Sequence, residues 1–223
     1  MILILRGHIR SSFNCKQLYN FISILYKLYP DLKIFIHTWD IIANNISWRN
    51  IDVNNDIVTE ELICNYFGDL SSLIKHIIID NDQQIELIGN LKGKIGKGPM
   101  PIIGWKNYWY GKYKIIDYIY NNFNCYDETV INTRFDLFCN SNNFNMQVIL
   151  ELIANNYNMQ FHKNIFLFDG DKYGIDNIYI GNVNTMYKLI KVFHYQLDEI
   201  LIINPRIVSQ EFLVPILNNR LCY

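Results

Sequence analysis

Tyr126 to Leu137 reads YDETVINTRFDL. Thr129 to Asn132 predicts a short buried strand that ends in the charged cluster Arg134-Phe135-Asp136. An aromatic, helix-like run precedes this strand and a second helix-like run follows it. A carboxylate beside a guanidinium at the tip of a central strand points to anion or metal chemistry in the cleft above an α/β sheet. The segment alone is equally compatible with an Arg–Asp pair that does no more than close a strand end.

The segments on either side supply the rest of such a sheet. Ile2 to Leu5 is a continuous apolar run, read as a buried first strand, and Arg6-Gly7-His8-Ile9-Arg10 follows as a turn. Asn14 is placed to cap the next helix with Gln17 three residues on, and Leu18, Phe21, Ile22, Leu25 and Leu28 form its apolar face. Lys33 to His37 makes a second strand, closed by Thr38-Trp39-Asp40. The unit is strand–helix–strand, with spacing that suits a parallel crossover. An irregular polar stretch containing Trp48-Arg49 runs to Asn55. Thr59 then caps a short helix with Glu60 and Glu61 in its first turn. His76 to Ile79 is a third strand, ending in Asp80-Asn81-Asp82.

Gly104 to Phe123 reads as a helix, because Trp105, Trp109, Tyr113, Ile116, Tyr120 and Phe123 recur every three or four residues. Met146 to Ala154 is a helix and Asn164 to Phe168 a strand. Gly174 to Gly181 starts polar and turns strand-like, and Thr185 to Phe193 and Ser209 to Leu217 are helices. Neither a repeat nor a linker interrupts this alternation. It predicts one α/β domain over residues 1–223, with a mostly parallel central sheet flanked by helices.

Bulk properties narrow the classes. Half of the 223 residues are hydrophobic, enough for a large core. A net charge of −1 provides no long-range field for nucleic acid or acidic membranes. The five cysteines are scattered without a CxxC pair, which fits thiols used as small core residues in a reducing compartment. No apolar run approaches the ~20 residues of a membrane span. The expectation is a soluble, cytoplasmic protein with no integral membrane segment and no nucleic-acid partner.

Several strand-end groups carry candidate chemistry. Arg6, Gly7, His8 and Arg10 lie where strand one ends, the place where open α/β sheets bind ligands. Gly7 allows close backbone approach and Arg10 can hold a phosphate bidentately. Thr38, Trp39 and Asp40 end strand two, where a hydroxyl or acid meets a ribose and a Trp stacks on a base or sugar. The loop Lys92 to Pro99 fails as a P-loop because Gly98 follows Lys97. It remains a mobile cationic segment, either solvated or closing over a diphosphate through Lys94 and Lys97. Asp80-Asn81-Asp82 is a literal DxD, but it is also a common turn composition. Asp176 can act as a base or hold an acceptor hydroxyl, while Glu211 can equally be a first-turn acid. Trp105, Trp109 and Tyr110 either line a sugar site or form the inner face of their helix.

The ordered set ILILRGHIRSSF, KIFIHTWD, YDETVINTRFDL, GIDNIYIG and QEFL resembles GT-A-fold glycosyltransferases of the kind found in giant viruses and bacterial polysaccharide clusters. The resemblance covers nearly the whole chain. It implies a GT-A-like (Rossmann-like) domain that transfers a sugar from a nucleotide-sugar donor to a glycan or other hydroxyl acceptor, in the host cytoplasm if viral. It implies donor binding by Arg6 to Arg10 and Thr38 to Asp40, with Asp136 as the DxD equivalent contacting ribose, Mn²⁺ or Mg²⁺. Asp176 and Glu211 then lie near the acceptor or the transferred sugar. Arg134 stands where the common motif has its first Asp, so one carboxylate remains for a metal and Arg134 can partly replace the cation. Two further readings are a non-catalytic nucleotide- or glycan-binding relative and a sugar-phosphate nucleotidyltransferase. Against the latter, RGHIR has only one glycine.

Overall fold

The computed structural model describes residues 1–45, 51–139, 144–168, 176–207 and 210–221. Its centre is a six-stranded sheet whose strands, left to right, are β5 (Ile74–Asp80), β2 (Lys33–Trp39), β1 (Ile2–Arg6), β6 (Thr129–Arg134), β8 (Ile178–Asn182) and β7 (Ile165–Phe166). The first four are parallel, while β8 runs antiparallel to β6 and β7 antiparallel to β8. The chain is therefore α/β with a mostly parallel, Rossmann-like sheet. A separate small ribbon pairs β3 (Ile41–Ala43) with β4 (Asn54–Ile57).

The alternation of side chains along β1 explains its central place. Leu3 and Leu5 pack into one apolar cluster, and Ile2 and Ile4 into the other. A strand buried on both faces must be apolar throughout, as Ile2 to Leu5 is. Helix α1 (Gln17–Leu28) supplies Leu18, Phe21, Ile22 and Leu25 to the first cluster, together with α4 (Met146–Asn156) and α2 (Glu60–Phe67). Helix α3 (Ile102–Asn122) packs against α5 (Val183–Tyr195) over the opposite face, with Trp105, Trp109, Ile116, Met186 and Phe193 in contact distance of one another's cluster. Two short helices complete the chain, α6 (Leu197–Ile203) and α7 (Gln210–Arg220).

The structure departs from the sequence reading at several places. Asn14 ends a 3₁₀ turn, Ser12–Asn14, and does not cap α1, whose N-cap is Lys16 without a side-chain bond. Leu28 is exposed at the last turn of α1. Thr59 does cap α2, accepting from the Leu62 N–H. Asp80 belongs to β5, and the strand pairing carries β2 through Trp39. The lysine–glycine loop is folded: Ile95 is buried, its N–H donates to the Met100 carbonyl, and the Lys97 N–H donates to the Ile207 carbonyl. Trp48-Arg49, Gly174 and Ser209 lie outside the described residues.

Candidate functional site

In this sheet β1 connects outward to β2 on one side and pairs with the later β6 on the other. Such a reversal of strand order opens a crevice at the carboxyl ends of the strands. A cleft of about 150 Å³ lies there. Its walls bring together Arg6, Gly7, His8, Arg10, Trp39, Arg134, Asp136, Asp176 and Glu211, drawn from five separate chain segments.

The register explains the convergence. Arg6 pairs with His37 of β2 and with Arg134 of β6, so three strand ends stand side by side. Gly7 has φ +88°, and a Cβ there would meet nothing within 4 Å, so the backbone turns at the open cleft. Arg10 adopts φ +53°, uncommon for a residue with a side chain, and its N–H donates to the Ile42 carbonyl at 2.9 Å. That turn aims the Arg10 guanidinium at Asp136, 2.5 Å away.

Asp136 sits between two guanidiniums. Arg134 donates to both carboxylate oxygens at 2.6 Å, and Arg10 donates to Oδ2. Burial raises the Asp136 pKa, but Arg134 and then Arg10 more than reverse this and hold it at about 2. Arg134 also donates to Asn177 Oδ1 at 3.1 Å. This is a bidentate carboxylate–guanidinium pair with a second cation on top.

That arrangement bears on a metal. Both Asp136 oxygens are already engaged by guanidiniums, and among the described residues no group of three or more His, Cys, Asp or Glu is arranged to hold a cation. The residues as placed do not fit Mn²⁺ or Mg²⁺ at Asp136, since a hard cation needs oxygen ligands that are not already paired. Asp80-Asn81-Asp82 does not line the cleft either. Asp80 faces His37 at 3.3 Å, Asn81 donates to Asp40, and Asp82 accepts from Asn44.

Arg6 is buried beside this pair. Its Nε donates to Asn132 Oδ1 at 2.7 Å and its Nη2 to the Asp176 carbonyl at 2.5 Å, while its guanidinium stacks over the Tyr108 ring at 4.6 Å. The Tyr108 hydroxyl donates to the same carbonyl at 3.1 Å. These two bonds fix Asp176 just before β8. His8 is neutral over the physiological range: burial, then repulsion by Arg10, lowers its pKa to about 3.

Not every expected residue reaches the cleft. Thr38 is buried and donates to the Gly7 carbonyl at 3.0 Å. Successive side chains on a strand point to opposite faces, so with His37 and Trp39 on the cleft wall, Thr38 faces away. Asp40 accepts from Asn81 and lies off the wall. Lys97 is exposed but tied at its backbone to Ile207, and does not line the cleft. Trp105 is fully buried against Trp109 and Phe193, so the expected sugar contact is a core residue.

One set of residues went unread in the sequence. Gly104, Asn107, Tyr108, Gly111 and Lys112 line the cleft from α3. They recur at i, i+3, i+4, i+7 and i+8, one face of a helix. Buried Asn and Lys at helical spacing, interleaved with two glycines, was the available signal. Gly111 sets how closely α3 approaches β2, because a Cβ there would lie 2.6 Å from the His37 ring.

No protein-family model matches the chain, and no curated protein matches it. Among the described residues no helix is long and apolar enough to cross a membrane.

Proposed function

We propose that the chain is a GT-A-like glycosyltransferase that takes a nucleotide-sugar donor in this cleft and passes the sugar to a glycan or other hydroxyl acceptor. The observation that carries the reading is the meeting of Arg6, Arg10 and Arg134 with three carboxylates, Asp136, Asp176 and Glu211, at the strand-order reversal. Guanidiniums at that place recognise a diphosphate and stabilise it as negative charge grows on the departing nucleoside diphosphate. Asp136 orients both Arg10 and Arg134, and so acts as a positioning residue rather than a ligand of a metal. Asp176 and Glu211 divide the remaining work, Glu211 taking the proton of an acceptor hydroxyl and Asp176 holding the sugar that is transferred.

A binding module without transfer is the second reading, favoured by the complete ion pairing of Asp136. Thermal shift with nucleoside diphosphates and their sugars, followed by a donor-hydrolysis assay, separates the two. Binding raises the melting temperature by mass action. A shift with turnover supports the transferase, and a shift without turnover supports the binding module. If no diphosphate nucleotide raises the melting temperature, both readings fall.

A further inference from the structure

The two ends of the cleft differ in chemistry. The Arg10–Asp136–Arg134 end is built of mutually paired charges. At the α3 end, Lys112 Nζ, Asp176 Oδ2 and Asn107 Oδ1 are buried and have no hydrogen-bond partner among the described residues. Lys112 is fully buried, with its ammonium 4.0 Å from the Tyr108 ring centroid and 4.1 Å from that of Trp109. Its ammonium forms an ion pair with Asp176 Oδ2 at 3.8 Å, a separation too long for a hydrogen bond.

Buried polar atoms left unmatched are costly, and native proteins rarely carry them without a role. Here three converge on one cavity wall. Nζ and Oδ2 stand 3.8 Å apart, so a single oxygen seated beside them at roughly 2.8 Å from each would bond both. That oxygen must accept from the Lys112 N–H and donate to the Asp176 carboxylate. A phosphate oxygen cannot donate, and an amide nitrogen cannot accept; a hydroxyl does both.

We propose that this end of the cleft is a sugar-hydroxyl subsite, in which Lys112 and Asp176 share one hydroxyl of the donor sugar and Asn107 accepts from a second. The Tyr108 and Trp109 rings face the Lys112 ammonium and hold it in place. Gly104 and Gly111 on the same helix face keep bulky side chains out of the subsite's wall. The proposal rests on the nucleotide-sugar reading above and names what recognises the sugar half of that donor.

The test is calorimetric titration of the wild type, Lys112→Met and Asp176→Asn with UDP, GDP, UDP-glucose, UDP-galactose, UDP-N-acetylglucosamine and GDP-mannose. The wild type is expected to bind one sugar nucleotide more tightly than its parent diphosphate. Each variant should lose roughly 10- to 100-fold for that sugar nucleotide, the worth of a hydrogen bond to a charged group, and keep the affinity for the diphosphate. A deoxy analogue of the same sugar should reproduce the loss on the wild-type protein at a single hydroxyl. This last measurement carries the test if a variant fails to fold.

The subsite is overturned if the wild type prefers no sugar nucleotide to its diphosphate, if both variants keep full affinity, or if they lose sugar nucleotide and diphosphate alike. Those outcomes leave the diphosphate cleft standing. If no nucleotide of the panel binds at all, the nucleotide-sugar reading falls and takes the subsite with it.

Discussion

The guanidinium of Arg10 lies 2.5 Å from the carboxylate of Asp136, 126 residues further along the chain. Asp136 also holds Arg134, so one buried carboxylate balances two cations. Breaking a buried pair from one side leaves charge without compensation and costs about 3–5 kcal/mol. Asp136→Ala should lower stability by that order in urea denaturation. The acid limb carries a second signature. The folded pKa of about 2 lies below the unfolded value of 3.8, so this contribution is complete above 3.8 and fades as pH falls toward 2. Denaturation between pH 4 and 2 should be flatter in Asp136→Asn than in the wild type.

Stability should already fall at milder acidity. His8 has a folded pKa of about 3 against 6.5 in the unfolded chain, and burial lowers His37 as well. Below pH 6.5 the unfolded chain takes up protons that the folded one refuses, so stability drops as pH falls. His8 alone contributes up to about 1.4 kcal/mol per pH unit. Urea midpoints measured at pH 5, 6 and 7 should decline toward pH 5, and less steeply in His8→Gln.

Gly111→Ala tests the seating of α3. The added Cβ would lie 2.6 Å from Cε1 and Nδ1 of His37, a ring fully buried in β2. Alanine favours a helix over glycine by about 1 kcal/mol, but overpacking a tight contact costs about 1–3 kcal/mol. The expected result is a lower melting temperature together with weaker sugar-nucleotide binding, since α3 carries Asn107 and Lys112 along as it moves. An unchanged melting temperature would show that His37 can give way.

Diphosphate affinity should depend on Arg10 and not on a divalent cation. Arg10→Ala should weaken UDP or GDP binding by roughly tenfold to a hundredfold, as expected for loss of a charge-assisted contact. Chelation with EDTA should leave wild-type binding unchanged, because both Asp136 oxygens are engaged by guanidiniums. Affinity that collapses on chelation and returns with Mn²⁺ would contradict this.

Much of the architecture could be read from local pattern. The apolar run Ile2 to Leu5, the cap at Thr59 and the charged tip Arg134-Phe135-Asp136 each follow from period or chemistry within a few residues. What escaped depended on partners far away in the chain. Trp105 and Lys112 share one helix, and the strong aromatic repeat concealed the polar stripe beside it. The sequence leaves Trp105 open between a sugar contact and the core, because its core partner, Phe193, lies in α5. Lys97 looked mobile because nothing nearby in sequence announces Ile207 as an anchor. Thr38 and Asp40 were grouped with Trp39 although a strand turns neighbours to opposite sides.

The position of β1 has a consequence for how the molecule is made. One edge of β1 is covered by β2 soon after β1 itself is made, but the other waits for β6, whose Val130 stands opposite Ile2. Until that stretch leaves the ribosome, the most oily segment of the nascent protein presents an unmatched row of backbone groups. Long-range pairing of this kind slows maturation and invites self-association. A polypeptide cut short before Thr129 should therefore accumulate as insoluble material or in the hands of chaperones, and never as a smaller working version of the whole.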